Sequence, residues 1–252
     1  MYDITALGEI LIDFTYQGIG RNGQKLFAQN PGGAPANALT SAARFGAKTA
    51  FLGKAGTDMH GRFLKEILEK EQIDTRGFIL DERYFTTLAF VDLSPEGERT
   101  FSFARKPGAD TQITEKELDM EILGNTKIFH VGSLSLTSEP ARSTTFAAIK
   151  AAKSAGAVIS YDPNYRATLW ENVETAKREM KSLIPFVDIM KISDEETELL
   201  TDEKEPEQAA KVLMGKGVKL VAVTLGKDGA YIANAEGGKR VPGFESNVVD
   251  TT

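Results

Sequence analysis

The chain has 252 residues, 41% of them hydrophobic and 26% charged. Those are the proportions of an ordinary globular protein, and they exclude disordered, collagen-like and low-complexity readings. Thirty Lys and Arg against 36 Asp and Glu leave a net charge of −6, without the basic excess of a nucleic-acid binder. The absence of cysteine removes disulfides, thiolate metal sites and thiol catalysis together.

The segment 1–9 carries acids where a secretory leader would be basic, and no apolar run approaches the ~18–20 residues that span a bilayer. A cytoplasmic protein without membrane or nucleic-acid partners is expected. Residues 4–7 read as a strand, and 10–16 as part of a ribbon. Residues 33–45 read as an alanine-rich helix, followed by a strand at 49–52 and an amphipathic helix at 58–71. Residues 87–92 and 99–103, around the turn Ser94-Pro95-Glu96-Gly97, read with 10–16 as antiparallel ribbon. Strand-length apolar runs follow at 127–131, 158–161, 187–192 and 220–224, with helical patterns at 140–154, 172–183 and 206–216. Strands spaced by such helices imply βαβ units, so the expected fold is α/β, a doubly wound and mostly parallel sheet. The ribbon is a candidate lid, drawn from about 10–30 and 84–106 of a single domain covering 1–252. The run 194–207 packs eight carboxylates and reads as a solvated helix and turn.

Several motifs fail. Gly18-Ile-Gly20-Arg-Asn-Gly23 has dinucleotide-loop spacing, yet no acid lies between Phe14 and Thr57 to take a ribose, so it reads as a flexible loop. None of the Gly-Lys pairs has the glycine a P-loop requires. His60 and His130 stand alone and read as structural.

Others survive. Asn30-Pro31-Gly32-Gly33-Ala34-Pro35-Ala36-Asn37 opens the alanine-rich helix. Its glycines allow close backbone approach, its helix start offers free N–H groups, and Asn37 one turn inside can bind hydroxyls. The same pattern also suits tight helix packing. Asp13 sits in an apolar strand, where a carboxylate needs partners; sugar hydroxyls or a strand-end cap would serve. Tyr161-Asp162-Pro163-Asn164-Tyr165-Arg166 and Thr224-Leu225-Gly226-Lys227-Asp228-Gly229 both leave strand ends, where open α/β sheets bind ligands.

In order and spacing these pieces resemble the ribokinase-like (PfkB) carbohydrate kinases. The likeness rests on Gly8-Glu9-x-Leu11-Ile12-Asp13, Gly32-Gly33-x-x-x-Asn37, Gly56-x-Asp58, Asp162-Pro163-Asn164-x-Arg166, Thr224-Leu225-Gly226-x-x-Gly229 and Val249-Asp250-Thr251-Thr252. It implies a sugar between core and lid, held by Asp13, Gly32, Gly33, Asn37, Phe103, Arg105, Asp162 and Arg166. It implies ATP on Ser193, Thr224, Gly226, Lys227 and Gly229, with Mg²⁺ near Glu196; Ser193 stands where the family carries Asn. A monovalent cation and a homodimer through the lid belong to the same implication. In the family a Gly-Ala-Gly-Asp motif bearing the catalytic base follows Asp-Thr-Thr, so 1–252 alone is expected not to turn over. Among substrates the stretch Phe101-Ser102-Phe103-Ala104-Arg105 is similar to that of fructokinases. Phe103 and Ala104 lack the phenolic hydroxyls found in 2-keto-3-deoxygluconate kinases. That acid, ribose, or binding without catalysis remain the alternatives.

Overall fold

The computed structural model describes residues 1–93 and 99–244. In chain order the strands and helices are β1 (Tyr2–Leu7), β2 (Leu11–Ile19), β3 (Lys25–Gly32), α1 (Ala34–Arg44), β4 (Thr49–Gly56), α2 (Met59–Lys70), β5 (Phe78–Asp81), β6 (Leu88–Leu93) and β7 (Arg99–Ala104). There follow α3 (Met120–Leu123), β8 (Thr126–Val131), α4 (Ala141–Ser154), β9 (Val158–Tyr161), α5 (Val173–Leu183), β10 (Ile189–Ser193), α6 (Asp194–Thr201), α7 (Pro206–Gly215), β11 (Leu220–Thr224), β12 (Ala230–Asn234) and β13 (Gly237–Val241).

The described strands form a nine-stranded sheet, ordered β13-β12-β11-β10-β9-β8-β1-β4-β5, and a four-stranded sheet ordered β3-β2-β6-β7. The large sheet is parallel except where β12 and β13 fold back, as the doubly wound reading requires. Alternation along the strands feeds two cores. Ala6 and Phe51 pack with Leu39 of α1 and Leu64 and Leu68 of α2. Leu7, Ala50 and Leu52 go to the other core, with Ile122 of α3 and Ala148 and Ile149 of α4.

Local chemistry sets the helix starts. Asp58 accepts from the N–H groups of His60 and Gly61, and Asn172 from that of Thr175. Both are caps outside the helices they open. Gly33 precedes α1 at φ 110°, and a β-carbon there would lie 2.5 Å from the Glu9 carbonyl oxygen; only glycine fits.

Four expectations need correction. The ribbon is not wholly antiparallel: β2 pairs β6 in parallel, Ile12 opposite Leu88, while β2–β3 and β6–β7 are antiparallel. The 18–23 segment is not simply a loop, because β2 continues through a register shift at Tyr16/Gly18 to Ile19 before the turn into β3. Val187 lies in the core ahead of β10, which starts at Ile189; Asp188 between them accepts the N–H of Ile159 on its carboxylate and that of Leu220 on its carbonyl. The acidic run is not a wholly solvated face, since α6 buries Glu196, Thr197, Leu200 and Thr201. The turn 94–97 and the segment 249–252 lie outside the described residues.

Candidate sugar and nucleotide site

The parallel strands end along one edge in register: Leu7 beside Val131, Val131 beside Tyr161, Met190 beside Tyr161, and Ser193 beside Thr224. At about 4.8 Å per strand that edge runs roughly 19 Å from β1 to β11. The chain leaves β1 toward β4 on one side and later returns to β8 on the other, so β1 and β8 define the switch point where such sheets open a crevice.

The small sheet offers two unlike faces. Phe14, Tyr16, Phe27 and Phe90 share one, with Phe14 stacked on Phe90 at 5.2 Å and Phe27 edge-on to Phe90 and Tyr16. The register puts Asp13, Asn30, Ala89 and Phe103 together on the other. There Asn30 Nδ2 donates to Thr15 Oγ1 at 2.9 Å, and Phe103 stacks on Phe101 at 6.2 Å.

Asp13 adjoins the start of α1. A β-carbon on Gly32 would collide with Asp13 Oδ2, so Gly32, the last residue of β3, makes room for that carboxylate. Burial pushes the Asp13 carboxyl above the usual range, and the Arg166 charge opposes the shift. Asp13 accepts no hydrogen bond from the described residues, so its oxygens are available to hydroxyl donors. Asn37 is exposed one turn inside α1, its N–H on the Gly33 carbonyl at 2.9 Å.

Asp162 leaves β9 half-buried and pairs with Lys191 Nζ at 3.3 Å. Burial raises its carboxyl too, against the charges of Lys191 and Arg166. The field of exposed Arg166 thus reaches both carboxylates. Asn164 sits at φ 47° and closes its turn through its N–H on Asp162 Oδ1 at 3.2 Å.

Arg105 is more committed than its place in the motif suggests. Its Nε and Nη2 bind Asp110 Oδ2 at 2.8 and 2.6 Å, Nη2 also reaches the Leu134 carbonyl, and Nη1 reaches Thr137 Oγ1 at 2.9 Å. Thr87 Oγ1 donates to Asp110 Oδ1. Arg105 and Phe103 nonetheless line a cavity of about 400 Å³ with Thr111, Thr137, Ser138 and Thr168.

On the nucleotide side, Ser193 stands at the N-cap of α6 in a capping-box pattern with Glu196. Glu196 Oε2 accepts from the Ser193 N–H at 2.8 Å and Oε1 from the Tyr165 N–H at 2.7 Å. Glu196 thereby ties the exit of β9 to that of β10. Thr224 Oγ1 donates to the Ile192 carbonyl at 3.3 Å. Gly226, at φ 55°, has no described residue beyond its chain neighbours within 4 Å of its β-carbon position, and Lys227 is exposed beside it. Gly229 is glycine for another reason: a β-carbon would strike the Val241 carbonyl.

The sequence reading passed over Asp110, Lys191 and Glu9. Glu9 had a legible signal, an acid lodged between Gly8 and the apolar run Ile10-Leu11-Ile12. Asp110 and Lys191 had none, since each acquires its meaning from a partner on another segment. His130 is structural as expected: burial pushes it down to about 4, and Nδ1 lies 3.0 Å from Ser160 Oγ. No helix of the described residues is long and apolar enough to cross a membrane.

The class is α/β: a mostly parallel sheet whose strand exits face a small sheet carrying Asp13. Residues 1–252 match the pfkB family carbohydrate kinases, and the chain belongs to that family. It is 42% identical over 253 residues to the probable chloroplastic fructokinase-6 of Arabidopsis thaliana, covering 99% of this chain and 66% of that protein. The fructokinase of Xylella fastidiosa with bound ATP superposes with a TM-score of 0.90 at 32% identity, over 98% of this chain and 76% of the other. The Vibrio cholerae fructokinase in its fructose, ADP and calcium ion bound form gives 0.89 at 32% identity, over 100% of this chain and 80% of that one.

Proposed function

We propose that this protein is an ATP-dependent fructokinase that transfers the γ-phosphoryl group to the primary hydroxyl of D-fructose, forming fructose 6-phosphate. The observation that carries the reading is Asp13: a partly buried carboxylate without a donor among the described residues, on the inner face of the small sheet, beside the glycines that open α1. Two adjacent sugar hydroxyls supply the donors it lacks. Asn37 adds an amide that both donates and accepts, and Arg166 balances Asp13 and Asp162 from the core side. Phe103 gives an apolar wall, with Arg105 behind it.

The nucleotide side fits ATP in one respect that can be tested on its chemistry. The turn at Gly226 has no described residue beyond its chain neighbours within 4 Å of the glycine's β-carbon position and carries Lys227 beside it, and Ser193 and Thr224 flank it in register. ATP with Mg²⁺ supplies the phosphoryl group and a cation that offsets its charge. No group of three acidic or histidine side chains stands ready as a cation cage among the described residues, and both Glu196 oxygens already accept backbone N–H groups. Glu196 would therefore meet Mg²⁺ through water. The protein's share of the work is positioning: Asp13 and Asn37 fix the sugar ring, Arg166 bridges sugar and core, and the small sheet covers the reacting hydroxyl against water.

A cytoplasmic location, a monovalent-cation requirement and a homodimer through the small sheet complete the reading. The dimer is supported by the partly exposed Phe27 and Phe90 and by β3 and β7, the outer strands of the small sheet among the described residues. The test is ADP release by the full-length protein with Mg-ATP and, separately, fructose, 2-keto-3-deoxygluconate, ribose and adenosine. Turnover with fructose alone is expected. Preference for 2-keto-3-deoxygluconate or ribose overturns the assignment of Phe103 and Ala104, and binding of fructose without turnover favours a non-catalytic sugar binder.

A further inference from the structure

Glu9 is a buried carboxyl group that the proposed chemistry leaves unused. It follows β1 at the switch point and is 2% exposed. Its Oε1 accepts from the Ala34 N–H at 3.0 Å, at the first turn of α1. Its Oε2 has no hydrogen-bond partner among the described residues; it lies 3.9 Å from the β-carbon position of Gly132, at the exit of β8. Its own carbonyl is the oxygen that excludes a side chain from Gly33. The end of β1, the start of α1 and the exit of β8 therefore meet on one residue. The Gly32–Ala34 backbone lies between Asp13 on one side and Glu9 on the other.

An ionised carboxylate in that place would be an acceptor on both oxygens with a donor for only one of them, a costly state for a buried charge. Burial favours the neutral acid and pushes Glu9 up to about 7, against the hydrogen bonds from its own N–H and that of Ala34, which favour the charge. The ionisable groups whose fields reach it are Arg105, which favours its charged form, and Asp110, which opposes it; these two bind each other at 2.6 Å and largely cancel. The first turn of α1 adds no acid.

We propose that Glu9 is a positioning residue for the sugar, a protonated latch that holds the Gly33–Ala34 turn against the β1–β8 switch point and so fixes the glycines beside Asp13. This inference rests on the sugar-kinase reading. Ionisation of Glu9 strengthens the Ala34 bond but buries a charge at Oε2 with no described donor; water drawn to that oxygen opens the turn, so sugar affinity falls on the alkaline side while the nucleotide side, built on β10 and β11, is unaffected. Glu9→Gln reproduces the neutral acid, with an amide oxygen for the Ala34 N–H and no titration.

The experiment is the KM for fructose and for ATP of the full-length protein from pH 6 to 8.5, wild type against Glu9→Gln and Glu9→Ala. Wild type is expected to lose about fivefold in fructose KM as the ionised fraction approaches completion above pH 8. Glu9→Gln should stay flat, and Glu9→Ala should be raised at every pH, with ATP KM constant throughout. Asp13 and Asp162 titrate in both wild type and Glu9→Gln, so their contribution cancels in the comparison. Parallel profiles for wild type and Glu9→Gln, or equal changes for both substrates, overturn the proposal. If fructose is not a substrate at all, the functional reading fails, and the latch is judged by urea unfolding. A carboxyl raised from its ordinary value binds more protons in the native state. Stability should then fall in wild type as pH rises from about 4.5 to about 7, and Glu9→Gln should lose that slope. Identical slopes overturn it.

Discussion

In the nine-stranded sheet β4 is buried at all eight positions, whereas β3 of the four-stranded sheet buries only Gly32. Both are eight-residue strands. The large sheet has helices on both faces, and the two buried cores fix the strand exits. The small sheet has one aromatic face packed partly on α2, where Phe14 meets His60 at 5.7 Å, and one polar face that carries Asp13. Rigidity and adaptability are assigned to different sheets, and the sugar residues are divided between them.

That division can be broken from the rigid side first. Phe129→Ala empties a fully buried site in β8 and should cost about 3–5 kcal/mol, lowering the melting temperature by roughly 10 °C. Calorimetry measures it, and a loss below 1 kcal/mol would contradict the packing described. Arg105→Ala joins the two regions and is next in size. It strands Asp110 in the interior, which should cost about 3 kcal/mol and weaken fructose use with little change in ATP affinity. Replacing both partners, as Arg105→Met with Asp110→Leu, should recover much of the stability but not the fructose affinity; a measured recovery of both would remove Arg105 from the site.

On the adaptable side the effects are smaller and of mixed sign. Asp13→Asn should raise fructose KM tenfold to a hundredfold through loss of charge-assisted hydrogen bonds, about 1.5–3 kcal/mol. The same change should slightly raise stability at neutral pH. A carboxyl held above its ordinary value is a native-state cost that grows as pH climbs through its titration, and the amide lacks it. Urea midpoints at pH 5 and pH 8 test the sign, the gain being confined to the higher pH. Phe90→Ser, on the partly exposed aromatic face, should change stability by less than about 1 kcal/mol. Sedimentation velocity decides its second consequence: a shift from dimer to monomer marks that face as the interface, and unchanged sedimentation does not.

How much was legible follows the same line. The parallel strands announce themselves as short apolar runs between helical patterns, and 158–161 and 220–224 coincide with β9 and β11. β3 carried no such mark, since Lys25, Gln29 and Asn30 are strand residues only by pairing with β2. The parallel join of β2 to β6 was likewise invisible, because it is made between distant segments through a register no local pattern encodes. In the site, Asp13, Gly33 and Arg166 were readable from their motifs. The double engagement of Glu196 and the ion pair of Arg105 were not, since Tyr165 and Asp110 become their partners only after folding.

The order of the large sheet has a consequence for how the chain is made. From β1 outward to β13, seven strands stand side by side in the order a ribosome would release them, so each emerging strand meets an edge already waiting for it. The small sheet breaks that sequence, because Ile12 must wait for Leu88. A pause in translation between those two residues would leave the β2–β3 hairpin with an open edge at the ribosome exit, whereas a pause after Val131 would merely leave a narrower sheet. Synonymous codon changes should therefore harm the yield of native protein most when they slow the stretch between β3 and β6.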